Sequence, residues 1–282
     1  MKLLPTVEFL GKQVSRLTVG DNPTNGYSYI PDMVTKQEMI LYHTEERLIQ
    51  QLFLAESYGY TVWQPLATEF SMRALLHYRE RGGKMDVIFQ THVPMDFEVN
   101  IREIAALNPL AVYHQGTQGD GFFESGQSHI LRDRIKYMQS LGLKAGFATH
   151  VPEFLQQAEE EDWGCDFYMA CLQNTRKNGK GEKSTSVTGK ARKTVEFDLS
   201  DRALMLDTIK KASKPCIAYK ILAGGQIFLG KKPEQYRETA AKAIREVYEN
   251  IKPGDIATVG IFQRDKDQLR ENADLVCEAL GV

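Results

Sequence analysis

The chain has 282 residues, 42% of them hydrophobic and 26% charged, and its 35 Lys and Arg against 37 Asp and Glu leave a formal net charge of -2. These values are typical of one large domain, spanning residues 1–282. The nearly balanced charge gives no overall field that would hold a polyanion, so we expect no nucleic-acid partner. No run reaches the ~20 apolar residues of a membrane helix, and Pro5 and Glu8 interrupt any signal-peptide core. We therefore expect a cytoplasmic protein without a membrane partner.

Short apolar runs alternate with longer amphipathic segments along the chain. The runs that predict strands are residues 15–20, 60–64, 87–90, 111–114, 145–149, 167–171, 216–222 and 256–260. Segments with apolar residues at helical spacing are 45–58, 98–107, 130–141, 202–212 and 236–251. Local signals agree with these helices, since Thr44 and Ser200 are placed to cap them and Pro152 fits a first helical position.

The alternation predicts the fold class. Eight strand and helix units in about 250 residues have the size and order of an α/β protein of the (β/α)8 TIM-barrel type. A barrel also covers both faces of every apolar strand. A doubly wound open sheet is the alternative, but it is expected to carry a Gly-rich phosphate turn after its first strand. The segment from Gly20 to Pro23 contains no such turn.

Two further features concern packing and loops. The four cysteines, Cys165, Cys171, Cys216 and Cys277, form no C-x-x-C pair, and we expect them to be reduced and structural. Residues 174–193 form a long basic segment with Gly and Ser after the sixth strand. Such a segment is typical of a solvated loop, and its position equally allows a lid over a barrel mouth.

Several motifs, in order along the chain, resemble aldo/keto reductases. They are residues 9–17 (FLGKQVSRL), 19–20 (VG), 55–59 (AESYG), 148–153 (ATHVPE), 173–174 (QN) and the segment from 259–260 (VG) to 271–272 (EN). The resemblance spans nearly the whole chain and implies a barrel that begins with a short N-terminal β-hairpin. It also implies an NADP(H)-dependent carbonyl reductase with an Asp, a Tyr acid, a Lys and a His at the ends of the second, third and fourth strands.

The chain departs from this catalytic pattern. His114 matches the family His, but residues 63–70 (WQPLATEF) after the second strand contain neither Asp nor Tyr, and His92 stands where Lys is expected. Hydride addition to a carbonyl leaves an alkoxide that needs a proton, and the family's Tyr, made acidic by its Lys, donates it. Without both residues, the usual mechanism has no acid.

The cofactor signal of the resemblance is also weakened. Gly260 and Asn272 fit the family's final phosphate-binding turn and helix, with Arg264 as a nearby cation. However, Phe262 and Gln268 occupy positions where basic or adenosine-facing residues are expected. Gly260, Arg264 and Asn272 are the candidate cofactor-binding residues. The cofactor stays open, with a divalent metal as one candidate and NADP(H) as the less favoured one.

Polar residues collect at the carboxyl ends of the predicted strands, where barrels place their chemistry. A buried face with many amides and imidazoles is costly unless water, a metal or a ligand satisfies them. We therefore expect a polar small-molecule substrate at this mouth. The candidate substrate-binding residues are Asp21, Asn22, Gln64, Gln90, Gln115, Gln173 and Asn174.

Three histidines end three neighbouring predicted strands. Because adjacent strands lie ~4.8 Å apart, His92, His114 and His150 could bring their imidazoles onto one metal ion. The alternative is that they line the pocket without a ligand, bonded to amides. Both interpretations stay open.

Lys220 lies inside the apolar run that predicts the seventh strand. A Lys in such a run is almost never fully buried without a partner. Its ammonium is therefore expected to face an anion at the mouth, or to lose its charge and act as a base or Schiff-base amine. Pairing with a structural carboxylate is the alternative. Tyr27, Tyr29 and Trp63 could also line the mouth.

Three functions follow from these residues. The first is non-redox acid/base chemistry of an isomerase, lyase or hydrolase type on a small polyhydroxy or carbonyl compound. In it, His114 and His150 act as acid and base and Lys220 stabilises an oxyanion. The second is an NADP(H)-dependent oxidoreductase in which His114 or His92 replaces the missing Tyr. The third is a non-catalytic barrel that binds a metabolite. The sequence leaves a homo-oligomer open.

Overall fold

The structure, a computed structural model of the chain, describes residues 2–177, 183 and 197–282. An antiparallel hairpin of β1 (Thr6–Phe9) and β2 (Lys12–Ser15) precedes the barrel. The barrel strands are β3 (Leu17–Gly20), β4 (Val62–Gln64), β5 (Asp86–Gln90), β6 (Ala111–His114), β7 (Ala145–Thr149), β8 (Phe167–Cys171), β9 (Cys216–Tyr219) and β10 (Ile256–Gly260). They pair in parallel in chain order, and β10 closes the barrel against β3. The predicted (β/α)8 barrel and its N-terminal hairpin are therefore confirmed.

Helices cover the outside of the barrel. They are α1 (Lys36–Tyr42), α2 (Glu45–Ser57), α3 (Glu69–Glu80), α4 (Phe97–Ala106), α5 (Gly116–Glu124), α6 (Ser128–Ser140), α7 (Pro152–Glu160), α8 (Arg202–Lys211), α9 (Tyr236–Asn250) and α10 (Gln268–Leu280). Thr44 caps α2 by accepting a hydrogen bond from the Arg47 N–H, and Pro152 opens α7, as predicted. Asp201, not Ser200, occupies the N-cap of α8. Among the described helices, none is both long and apolar enough to cross a membrane.

The hydrophobic core has an inner and an outer part. The inner part fills the barrel with the inward side chains Val62, Ile88, Ala111, Phe167, Ile217 and Ile256. Phe9 and Val14 of the hairpin close its lower end. The outer part lies between the strands and the helices. Side chains alternate along a strand, so residues two positions apart point the same way. Gln64 and Gln90, two residues after Val62 and Ile88, therefore point inward at the carboxyl ends of their strands, where the barrel mouth lies.

Two sequence expectations need adjustment or fall outside the structure. The strand β9 ends at Tyr219, so Lys220 is the first residue beyond the strand and not a residue within it. Most of the basic segment 174–193, with both of its interpretations, lies outside the described residues. The cysteines form no disulfide in the described chain, and all four are buried, as expected for structural side chains.

Candidate active site

The mouth contains a chain of three ionisable side chains. Nδ1 of His150 lies 2.7 Å from Oδ2 of Asp120, and the Lys220 ammonium donates to Nε2 of His150 at 2.9 Å. Asp120 also accepts a hydrogen bond of 2.6 Å from the Thr149 hydroxyl, and His150 and Asp120 are buried. We call Asp120, His150 and Lys220 the mouth triad. It joins the helix after the fourth barrel strand to the ends of the fifth and seventh.

Two glycines allow Asp120 to reach His150. Both lie on the side of α5 that faces β7. A Cβ on Gly116 would lie 3.2 Å from the Ala148 carbonyl oxygen and 3.2 Å from Cε1 of His150, and one on Gly119 would lie 3.7 Å from the same carbonyl oxygen. Without side chains at these positions, the helix packs closely against the strand. One turn later, Asp120 meets the imidazole.

The surroundings fix the protonation state of His150. Burial, followed by the positive charge of Lys220, lowers the pKa of His150 to about 4, although the Asp120 carboxylate opposes this shift. The imidazole is therefore neutral near pH 7. Its Nδ1–H donates to Asp120, and the Nε2 lone pair accepts from Lys220. His150 thus presents a free base position to the mouth whenever Lys220 finds another partner.

Lys220 is held in an uncommon backbone conformation beneath aromatic rings. Its φ is +55°, in the left-handed region that non-glycine residues seldom adopt. The ammonium lies 4.9 Å from the centre of the Phe197 ring, 5.3 Å from that of Tyr29 and 5.6 Å from that of Tyr219. Ring faces attract cations. The three rings therefore surround the ammonium where it donates to His150.

Tyr219 adds a hydroxyl to the mouth triad. Its OH lies 3.2 Å from Nε2 of His150 and donates to the Thr149 carbonyl at 3.3 Å. Burial raises the pKa of Tyr219 well above its usual range, so the phenol stays protonated. Together with the triad, Tyr219 restores the residue types Asp, Tyr, Lys and His that the resemblance implies. They stand on other elements than the resemblance predicts, with Asp120 on the helix α5.

The seven predicted substrate-binding residues divide into two groups. Three glutamines belong to the mouth. Gln64 donates to the Thr18 hydroxyl at 2.9 Å, Gln90 accepts from the Tyr113 hydroxyl at 3.3 Å, and Gln173 donates to the Lys220 carbonyl at 3.5 Å. Gln64 and Gln173 are buried, and Oε1 of each has no hydrogen-bond partner among the described residues. These acceptors suit the hydroxyl donors of a polar ligand.

The other four residues organise loops. Gln115 caps α5 by accepting from the Gln118 N–H at 2.7 Å. Asn174 accepts from the Arg176 N–H at 2.8 Å and donates to Asp201, and Asn22 donates to the Tyr29 hydroxyl at 3.3 Å. Bonds of this kind hold loop conformations. The side chains of Gln115, Asn174 and Asn22 are engaged within the protein, in contrast to the open acceptors of Gln64 and Gln173.

Asp21, the fourth of these residues, fixes the loops after β3 and β4. Its carboxylate accepts hydrogen bonds from Asn25 at 2.6 Å and from the Leu66 N–H at 3.1 Å. Burial nevertheless raises the pKa of Asp21 to about 7, because desolvation outweighs these bonds. Asp21 is therefore partly protonated near neutral pH.

His114 does not face the mouth, contrary to expectation. Tyr113 points into the barrel, so His114 points outward, where Nε2 accepts from Arg134 at 2.9 Å and the ring packs against Phe97 and Phe122. Burial and the Arg134 charge lower its pKa to about 3. The imidazole is enclosed by helices. This placement gives His114 neither an acid/base role at the mouth nor a shared ligand with His150.

The expected metal triad is therefore not formed. The backbone N–H of His92, in the loop after β5, donates to the side chain of Asn100 in α4. His114 and His150 point to opposite faces of the sheet. Over residues 2–177, 183 and 197–282, no three His, Cys, Asp or Glu side chains are arranged to hold a metal ion. The alternation of side chains explains why neighbouring strand ends did not converge.

The candidate cofactor residues do not fit a dinucleotide phosphate. The Arg264 guanidinium donates to both carboxylate oxygens of Asp265, at 2.8 and 2.9 Å, and to Glu38 at 3.1 Å. A phosphate there would compete with two carboxylates. The space next to Gly260 is filled, because a Cβ would lie 3.0 Å from Pro23. Asn272 is buried within α10.

Two cavities lie near this end of the molecule. One, of about 310 Å³, is lined by Ser128, Arg132, Gln157 and Trp163 between the outer helices, away from the triad. A second, of about 250 Å³, is lined by Val151, Asn174 and Arg176. Val151 directly follows His150 in the chain, but Asp120, His150 and Lys220 are not among the described residues that line either cavity.

No family model matches the sequence, and no curated protein matches it. Solved structures do match its fold. An apo structure of Gox0644 is 11% identical with a TM-score of 0.57, over 97% of this chain and 88% of that one. A truncated 3-deoxy-D-arabino-heptulosonate 7-phosphate synthase from Thermotoga maritima is 12% identical with a TM-score of 0.55, over 99% and 94%. A holo aldo-keto reductase from Bacillus halodurans is 10% identical with a TM-score of 0.55, over 98% and 91%. At such identities the likeness concerns the fold alone, and it supports a (β/α)8 barrel of the kind that the reductase and the synthase share.

Sequence reasoning missed two members of the site. Asp120 lies within a helix, six residues after His114, and Tyr219 immediately precedes Lys220. The signal for Asp120 was present in the two glycines of the preceding turn, since helical glycines three residues apart indicate close packing on a neighbouring element. The signal for Tyr219 was the alternation along its strand, which directs Ile217 and therefore also Tyr219 into the barrel.

Proposed function

We propose that this protein is an enzyme that moves protons on a small polyhydroxy or carbonyl compound, by non-redox chemistry of the kind used by isomerases and lyases. The single observation that supports this is the mouth triad of Asp120, His150 and Lys220. It combines a neutral imidazole, a carboxylate that orients it and a cation in one chain of hydrogen bonds. General base catalysis and oxyanion stabilisation need these three groups.

In the proposed reaction, the substrate's carbonyl oxygen replaces His150 as the partner of the Lys220 ammonium. Nε2 of His150 is then free to take a proton from the carbon next to the carbonyl. The resulting oxyanion is stabilised by Lys220, and the Tyr219 hydroxyl can donate a second hydrogen bond. Asp120 holds Nδ1–H and stabilises the imidazolium while it exists. Return of the proton from Nε2 of His150 to a different atom of the substrate completes the reaction.

The remaining mouth residues support a hydroxylated substrate. Oε1 of Gln64 and Oε1 of Gln173 are buried acceptors without partners in the part of the chain that the structure describes, and both belong to inward positions of the barrel. Sugar-like hydroxyls are donors that would satisfy them. The neighbouring synthase in the fold comparison is named for forming a compound of that class, but at 12% identity this likeness concerns the fold alone.

Hydrogen exchange tests the proposal whatever the final product of the reaction is. Aldoses, ketoses and hydroxyketones are first screened for thermal stabilisation of the protein. The stabilising compounds are then incubated with it in D₂O, and proton NMR follows loss of the signal next to the carbonyl. We expect exchange in the wild type and a loss of roughly 10² to 10³-fold in Lys220→Met. Lys210→Met, at an exposed position of α8, serves as the matched control.

Two results would overturn the proposal. One is oxidation of NADPH coupled to reduction of a carbonyl compound without exchange, which would make the protein an oxidoreductase. The other is a set of stabilising ligands of which none exchanges a proton, which would make it a binding protein.

A further inference from the structure

The Lys220 ammonium lies under a cover that two distant segments build. Tyr29 comes from the loop after β3, and Phe197 comes from the connection between β8 and α8. Their ring centres are 4.8 Å apart. Both rings also lie near the Lys220 ammonium, with centres at 5.3 and 4.9 Å. We call these two rings the aromatic cover.

One side chain links both halves of the cover. Nε2 of Gln226 donates to the carbonyl oxygen of Tyr29 at 3.1 Å, and its Oε1 accepts from the N–H of Phe197 at 3.1 Å. Gln226 lies in the 3₁₀ turn Ala223–Phe228, six residues after Lys220. Its amide therefore ties two loops to the turn that follows the catalytic lysine.

The same turn is shaped to accept the rings. Gly224 has a φ of +57°, and a Cβ there would lie 2.6 Å from Cδ2 of Tyr29 and 2.7 Å from Cε2 of Phe197. Only a glycine leaves room for both rings at this point. The turn and the cover therefore form one packed unit above Lys220.

We propose that Gln226 is a positioning residue for Lys220. It holds the aromatic cover over the ammonium, which restricts a side chain with four rotatable bonds to the conformation that faces His150. The cover also keeps water from the ammonium, which strengthens its interaction with a developing oxyanion. This role rests on the proposed function, because the orientation of Lys220 matters only if Lys220 binds the reacting oxygen.

Chemical modification of Lys220 measures the cover without any substrate. Intact protein is reductively methylated with formaldehyde and a borane, and peptide mass spectrometry gives the rate at Lys220 relative to exposed Lys210. We expect Gln226→Ala to raise this ratio by about fivefold or more, because loss of the cation–ring contacts frees the ammonium. Gln235→Ala, at an exposed position in the next 3₁₀ turn, should leave it unchanged.

A second variant separates positioning from a general loss of structure. Phe197→Leu removes one ring but keeps the backbone N–H that donates to Gln226, and we expect a smaller rise in the Lys220 ratio. Circular dichroism checks that each variant is folded. If Gln226→Ala is folded and its ratio equals that of the wild type, the proposal is overturned. If Gln226→Ala does not fold, an unchanged ratio in Phe197→Leu overturns it instead.

This outcome is independent of the exchange assay. A raised methylation ratio together with no proton exchange would support the cover and remove the proposed function. Proton exchange in the wild type together with an unchanged methylation ratio in Gln226→Ala would support the proposed function and overturn the proposed role of Gln226.

Discussion

His114 ends β6 and His150 follows β7, on neighbouring strands of one barrel, yet only His150 faces the mouth. Both imidazoles are buried, and burial lowers the pKa of both, to about 3 for His114 and about 4 for His150. Their partners differ. His150 lies between Asp120 and Lys220, whereas His114 accepts from Arg134 among the rings of the outer helices.

The difference shows what makes a buried histidine chemically useful. A lowered pKa gives a neutral imidazole at either position, so the pKa alone does not distinguish them. His150 has a carboxylate on one nitrogen and a cation on the other, at an inward position of the barrel. His114 accepts from a cation and has no carboxylate partner among the described residues, at an outward position. The predictions that follow test this contrast.

The largest expected effect is that of Asp120→Asn on catalysis. An amide at this position can donate to Nδ1 of His150, which would move the imidazole proton to Nε2 and remove the base position. We expect kcat to fall roughly a hundredfold, within the range for loss of general base catalysis. Nitrogen NMR of labelled His150 should show the change of tautomer in the absence of substrate.

Asp133→Asn is the matched control, because Asp133 is an exposed carboxylate on α6. It should change neither the tautomer of His150 nor kcat. A folded Asp120→Asn protein with the wild-type tautomer and full activity would show that the carboxylate does not orient His150.

An intermediate effect is expected for Asp21→Asn on stability. Burial raises the pKa of Asp21 from 3.8 to about 7, so the native state keeps a proton that the unfolded chain has released above about pH 4. The contribution of this group to stability is therefore greatest at low pH and is lost as the pH rises toward 7. Asp21→Asn should remove that loss, which is roughly 2.5 kcal/mol between pH 5 and pH 7.

Urea unfolding of both proteins at pH 5 and pH 7 measures this difference. The free energy of unfolding of Asp21→Asn minus that of the wild type should increase from pH 5 to pH 7. The same comparison for Asp133→Asn should be flat. A flat result for Asp21→Asn as well would mean that Asp21 is already ionised in the native protein at pH 5.

The sequence was enough to predict the fold, but it did not show which residues of each strand point into the barrel. The eight apolar runs and the helical segments between them determine a parallel barrel, because each run needs two covered faces. Whether the last residue of a run points inward depends on where alternation begins, and a one-residue shift exchanges the two faces. His114 was assigned to the mouth for this reason, although Tyr113 is the residue that lies inside.

The site itself could be predicted only in part. Lys220 stood out because a lysine within an apolar run needs a partner. Asp120 did not, because it lies on a helix and reaches His150 only through the packing of two glycines against β7. Arg264 looked available in the sequence, but its guanidinium is held by Asp265 and Glu38. Pairing of this kind depends on the folded chain.

The smallest effect is expected for His114→Gln, which tests the other half of the contrast. Gln can accept from Arg134 in place of the imidazole, so we expect activity within about twofold of the wild type and a loss of about 1 kcal/mol of stability at pH 7.

The pKa of His114 falls from 6.5 to about 3 on folding, so this histidine costs the native state stability as the pH drops below 6.5. The variant should therefore lose less stability than the wild type between pH 6 and pH 5, by roughly 1 kcal/mol. Urea unfolding at the two values of pH and the exchange assay measure both effects, with His150→Gln as the comparison variant. A loss of activity in His114→Gln as large as in His150→Gln would mean that the outward histidine takes part in the chemistry, and that the direction of the side chain does not separate the two strand ends.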